Sequence, residues 1–299
     1  MLLNGLVGLR IAHGLAHLLF PFEVQALTKD GLPGCDAKQL KNGACVYSTS
    51  TYAQSAVYEL AWLIMFHYWQ GTPDIRALLF ASINIMLAVV DLWSAQGANL
   101  DIGTSIEPII AQNFAIVAVL IAAMNMTGGG SNDLSKKTGD DDDSLVAMGN
   151  RLWFFITCFA QFIVGLNAML DPLEASQITL VSAWTKEQQY ILARMIALSG
   201  AHTTALALTL LFSPHRGTFI GYVMLCTTQV FSYLIDSTIE SRMPESLLFK
   251  NALAGHAFFI VLFSLGGFLV LVSWAVSSRR KAAETGGAAT ATKEVKKQQ

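Results

Sequence analysis

Apolar runs close to the length of a bilayer-spanning helix recur throughout this 299-residue chain. A helix rises about 1.5 Å per residue and the hydrocarbon core is about 30 Å thick, so a span needs roughly 20 residues. Eight stretches approach that length: Leu2 to Phe22, Ser55 to Gln70, Ile75 to Ala95, Ile106 to Met126, Leu152 to Leu170, Gln189 to Phe212, Thr218 to Ser237 and Leu247 to Val276. They carry isolated polar residues and no period-two alternation, which selects helices over a β-barrel. The sequence therefore predicts an all-α integral membrane protein with eight transmembrane helices. Charged residues make up 13% of the chain, against roughly 25% in a soluble domain. A formal charge of -2, with no Lys/Arg cluster interleaved with aromatics, excludes nucleic acid as a partner. The first run holds Arg10 inside it and ends in Pro21-Phe22-Glu23 with no small-residue cleavage pattern, so it reads as a span rather than a signal peptide.

The chain also repeats itself. Gly14 to Glu23 reads GLAHLLFPFE and Gly165 to Glu174 reads GLNAMLDPLE, with Gly14/Gly165, Leu15/Leu166, Leu19/Leu170, Pro21/Pro172 and Glu23/Glu174 identical. Asp91 closes the third span and Asp236 the seventh, while Thr72-Pro73 and Ser213-Pro214 punctuate equivalent loops. This order predicts two tandem four-helix bundles, residues 1–126 and 151–278. An even number of spans per unit gives both units the same orientation in the membrane. Residues 127–150 form a Gly-, Ser- and Asp-rich linker, and 279–299 a disordered cytosolic tail. The Asp140 to Asp143 run in the linker reads as a solvated tract rather than a cation site.

Orientation follows from Lys and Arg near the span ends. A cytosolic N-terminus places Arg76, Lys136, Lys137, Arg151, Arg216, Arg279, Arg280 and Lys281 on the cytosolic side, against Lys29, Lys38, Lys41, Lys186 and Arg242 opposite, so both termini are expected in the cytosol. Cys35 and Cys45 then share a loop on the oxidising side, where a disulfide and two free thiols are both open readings; Cys158 and Cys226 read as small core residues. Lys296-Lys297 ahead of the final two residues resembles the dilysine retrieval signal of endoplasmic reticulum membrane proteins, so that membrane is the expected location, a merely soluble Lys/Gln tail being the other reading.

Chemistry has to reside in the ionisable groups within spans, since each costs a few kcal/mol in oil unless it faces the bundle interior or water. The first unit holds Arg10, His13, His17, Glu59, His67 and Asp91; the second holds Arg194, His202, Asp236, Lys250 and His256. Arg10, His13 and His17 are spaced three and four apart, so they share one helix face, and Glu59 and Asp91 are the expected partners for that stripe. Alternating span directions bring His17, Glu59 and Asp91 to one level, and these three are the candidate catalytic groups. Arg10, His13, Glu23, Asp236, His256 and His202 are the candidate ligand-binding groups, the last three forming a separate cluster of the second unit. His13 and His17 at i, i+4 could hold a metal or haem, but Val164 and Ala168 stand at the corresponding positions, so a hydrogen-bonded histidine pair is preferred and no metal or cofactor is assigned.

These residues carry a resemblance. The Gly-Leu, His-containing first span, followed by an acid before Gln-Ala-Leu (Glu23-Val24-Gln25-Ala26-Leu27), then Glu59-Leu60 early in the second span and an apolar third span, resemble the EXPERA-domain family of emopamil-binding protein and the sigma-2 receptor. The second unit, where Gly200 replaces the second-span acid, is similar to a DoxX-like four-helix unit as well. The EXPERA resemblance implies a water-poor cavity among four helices that accepts a sterol-like or isoprenoid lipid, with the acids touching the ligand. It also implies acid/base isomerisation, in which a protonated acid such as Glu59 donates and a second group removes a different proton. Three function classes follow: a lipid-binding protein or isomerase-like enzyme, a non-catalytic membrane scaffold, and a transporter. A homo-oligomer is compatible with each.

Overall fold

The structure, a computed structural model, describes residues 2–28, 43–67, 73–97, 106–127, 145–172, 174, 184–212, 218–240 and 247–297. Among them the helices are α1 (Leu2–Leu19), α2 (Pro21–Thr28), α3 (Gly43–His67), α4 (Pro73–Gly97), α5 (Ile106–Thr127), α6 (Leu145–Leu170), α7 (Lys186–Phe212), α8 (Phe219–Glu240) and α9 (Leu247–Lys297). The described residues are all-helical, with no strand among them.

Seven of these helices, α1 and α4 to α9, are long and apolar enough to cross a membrane, which fits a multi-pass membrane protein. The expected second span lies in α3, which has 25 residues and therefore ample length. It is too polar to count with the others, because Ser48, Thr49, Ser50, Thr51, Gln54, Ser55 and Glu59 crowd its length. Nearly all of α3 is covered by other helices, so its polar groups do not have to meet oil.

Burial shows which helices are central. α7 is buried from Ile191 to Ala197 and again through most of Gly200 to Leu210. By contrast α9 turns Phe258, Val261, Leu265, Phe268, Leu271 and Trp274 outward, as a lipid-facing helix does. α3 and α7 pack along each other at the centre, with Trp62, Leu63, Phe66, Ala197, Ala201 and Leu206 in one continuous core. Around them α1 packs on α3, α4 on α5 and α7, α6 on α7, and α8 on α3 and α9.

The helices of the two halves therefore interleave rather than forming two self-contained bundles. α4 lies chiefly against α5 and against α7 of the other half, and α8 chiefly against α9 and against α3 of the other half. α6 begins at Leu145, inside the expected linker, and α9 continues to Lys297, where a disordered tail from 279 was expected. Ala282, Ala283, Ala288 and Ala289 and the flanking charged residues are good helix formers, which suits that continuation.

Two glycines set helix separations. A Cβ on Gly165 of α6 would stand 2.8 Å from the Gly200 carbonyl oxygen of α7, and one on Gly200 would stand 2.6 Å from the Gly165 oxygen. The backbones meet because neither carries a side chain. In the first half the corresponding Gly14 faces Glu59 and Leu60, its Cβ position lying 3.3 Å from the Glu59 Oε2.

Candidate functional site

The stripe on α1 points inward, as its spacing requires. Arg10 and His17 are buried, and His13 partly so. The Arg10 Nε lies 2.8 Å from Glu59 Oε1 of α3, and its guanidinium sits over the Phe114 ring of α5 at 5.1 Å. His13 Nδ1 is 3.7 Å from Glu59 Oε2.

Glu107, in the first turn of α5, receives both histidines. His13 Nε2 is 3.2 Å from Glu107 Oε2, and His17 Nε2 is 2.8 Å from Glu107 Oε1. Tyr52 of α3 donates its hydroxyl to Glu107 Oε1 at 3.4 Å. His17 Nδ1 donates to the His13 carbonyl oxygen at 2.8 Å, which fixes the ring orientation.

The far wall comes from the other half of the chain. Arg194 of α7 pairs with Asp91 of α4, both side chains being almost wholly buried. His202 of α7 accepts a hydrogen bond at Nδ1 from the Trp62 indole of α3, 3.2 Å away. The ionisable groups among these, with Tyr52, line a cavity of about 50 Å³, bounded by α1, α3, α4, α5 and α7, with Ala56, Leu87, Ile110, Ala111 and Leu198 as its apolar lining. That volume holds a few ordered waters or one small polar group. It does not hold a fused-ring sterol body.

The expected catalytic trio, His17, Glu59 and Asp91, converges on this cavity together with Arg10 and His13. Arg10 has the expected partner in Glu59. Asp91 pairs instead with Arg194, outside the stripe. His202 was expected beside Asp236 and His256 but lines the first cavity, because the central α3–α7 packing carries it there. Glu23 is exposed on α2 and takes no part. The Lys250 side chain and Cys35 lie outside the described residues.

Sequence reasoning missed Glu107. An acid in the first turn of a helix is what the helix dipole favours at a boundary, so nothing local marks it as an interior group. Its position directly before Pro108 at the entry of an apolar run was the only available signal.

A second polar cluster lies where α8 and α9 meet α3. Asp236 of α8 stands 3.2 Å from His256 Nε2 of α9 and is also met by Gln54 and Ser50 of α3. His256 Nδ1 contacts Gln229 Oε1 at 2.7 Å, and Gln229 Nε2 donates to the Tyr58 hydroxyl and to Gln161. Each of these groups has a protein partner, and the cluster reads as an interhelical clamp.

The chain matches no family model, no curated protein and no solved structure.

The first cluster can do more than hold helices together. With neutral histidines it sets the carboxylates Glu59, Asp91 and Glu107 against the guanidiniums of Arg10 and Arg194. Acids outnumber fixed cations, and His13, between Glu59 and Glu107, and His17, against Glu107, carry imidazoles able to take or give a proton.

Proposed function

We propose that the protein is a multi-pass membrane protein that binds the polar end of a sterol-like or isoprenoid lipid in the cavity beside Glu59, Glu107 and Asp91, and performs acid/base isomerisation or cyclisation on it. The observation that carries this reading is the convergence of those carboxylates, with His13, His17 and His202, on one buried space. The space fits a hydroxyl or a single reacting group, so the apolar remainder of the ligand lies between helices rather than inside the cavity. Arg10 pairs with Glu59 and Arg194 with Asp91, while His13, with its Nδ1 3.7 Å from Glu59, is the group beside that acid able to carry a proton. The EXPERA-like order of features in the first half points to the same ligand class.

Lipid extraction of the purified protein, followed by mass spectrometry, tests the reading. A stoichiometric sterol or isoprenoid is expected, and incubation with it is expected to yield a double-bond isomer or a cyclised product. In Glu59→Gln the product should be lost. No retained lipid in the wild type, or unchanged products in Glu59→Gln, would refute it.

One observation favours transport as a second reading. Arg194 and His202 come from α7, so the cavity lies between the two halves of the chain, where a transporter places its substrate. Uptake into proteoliposomes separates the two, since a lipid-converting enzyme moves no solute across the bilayer.

The proposed placement is the endoplasmic reticulum membrane, with α3 as an eighth span and both termini cytosolic. Cys45 is disulfide-bonded at the start of α3, which supports an oxidising compartment on that side, whereas Cys158 and Cys226 are free thiols. We also infer an internal duplication, supported by the matched contacts of Gly14 on Glu59 and Gly165 on Gly200.

A further inference from the structure

The pair His13–His17 poses a hydrogen-bonding problem. The His17 Nδ1 faces a carbonyl oxygen at 2.8 Å, which only accepts, so the proton of a neutral ring sits on Nδ1. That leaves the Nε2 lone pair facing a carboxylate oxygen, also at 2.8 Å. Two buried acceptors at that distance need a cation between or upon them. His13 repeats the pattern: its Nε2 and Nδ1 both face carboxylate oxygens, Glu107 at 3.2 Å and Glu59 at 3.7 Å, and the Nδ1 has no hydrogen-bond partner.

We propose that His13, His17 and Glu107 form a divalent transition-metal centre, with the two Nε2 atoms and the Glu107 carboxylate as protein ligands and water from the adjoining cavity completing the shell. The ligand atoms lie within 4.8 Å of one another. The two contacts fall on different oxygens of Glu107, Oε1 at 2.8 Å from His17 and Oε2 at 3.2 Å from His13, so the carboxylate offers an oxygen to each ring; both separations are near the roughly 3.3 Å between ligand atoms in a tetrahedral site with bonds of about 2.0–2.1 Å. The supporting contacts suit a metal as well. His17 Nδ1–H on a backbone carbonyl is the outer hydrogen bond that leaves Nε2 free for a metal, and Tyr52 holds the ligating carboxylate. Charge agrees too: the cluster carries one negative charge in excess with neutral histidines, which a divalent ion with a bound hydroxide cancels.

Two imidazoles and one carboxylate suit Zn²⁺ or Fe²⁺, with Zn²⁺ favoured where the fourth ligand is water. The inference does not depend on the lipid reading, because metal can be present whatever the ligand.

The test is elemental analysis of the full chain, purified in detergent with a histidine-free tag and then equilibrated with Zn²⁺, Fe²⁺, Mn²⁺ or Co²⁺ in turn. About one equivalent per chain is expected, zinc for preference, with loss in His13→Gln, His17→Gln and Glu107→Gln and retention in Glu23→Gln. Tyr52→Phe should weaken the site about tenfold. X-ray absorption of the zinc-loaded wild type needs no variant to fold and should show imidazole scattering from two rings. A wild-type protein that takes up none of these metals, or an absorption spectrum with oxygen ligands alone, overturns the centre and leaves a protonated histidine as the cation. Glu59→Gln keeps the metal but loses the lipid product, so failure of one proposal is distinguishable from failure of the other.

Discussion

Asp91 of α4 and Arg194 of α7 are ion-paired in the protein interior, 103 residues apart in the chain and contributed by its two different halves. Their side chains are 5% and 1% exposed, so both charges are shut off from bulk water. Removing one partner leaves the other buried and uncompensated. Asp91→Ala should therefore destabilise the protein by about 3–5 kcal/mol, read as a drop in the thermal unfolding midpoint in detergent. The joint replacement Asp91→Leu with Arg194→Met should recover most of that loss, because a buried pair contributes little beyond an apolar pair of similar volume.

Helix separation in the second half depends on glycine. Gly165→Ala puts a methyl group 2.8 Å from the Gly200 oxygen and 2.6 Å from Thr204 Oγ1, and α6 must move off α7. A loss of about 1–3 kcal/mol is expected by the same measurement. Gly8→Ala on α1, with nothing within 4 Å, is the control. It should leave stability unchanged or raise it by up to about 1 kcal/mol.

The Asp236–His256–Gln229 chain is assigned a structural role. His256→Leu leaves Asp236 without its imidazole and Gln229 Oε1 without its donor, and should cost about 1–3 kcal/mol. Metal content and lipid product, where the protein stays folded, should match the wild type. A selective loss of either would move the functional site to this cluster.

Cysteine chemistry checks the membrane sidedness. Alkylation without reduction should label Cys158 and Cys226 in unfolded protein and miss Cys45. Reduction should release a Cys45 thiol and lower stability by about 2–4 kcal/mol. Labelling of Cys45 before reduction would remove the argument for an oxidising compartment.

Much of the site was legible in the sequence. Spacings of three and four put Arg10, His13 and His17 on one face, and the cost of ions in oil turned that face inward toward Glu59. What periodicity does not carry is which helices become neighbours across the bundle. The duplicated pattern led to the expectation that each half closes on itself, yet α7 brings Arg194 and His202 into the first cluster. Glu107 was hidden by its first-turn position, where an acid ordinarily faces water. Its absence from the reading also removed the third ligand that makes the histidine pair a candidate metal centre. The helical, apolar character followed directly from composition and run length, except at α3, whose burial by its neighbours is a tertiary fact.

The central claim is one polar site assembled across both halves of the chain. An electron cryomicroscopy map of the protein in lipid nanodiscs, at a resolution that shows side chains, tests it most directly. The account predicts α7 seated between α3 and α4, with Arg194 against Asp91 and with His13 and His17 both directed at Glu107. A map with α7 remote from α4, or with Glu107 turned out to solvent, would contradict it.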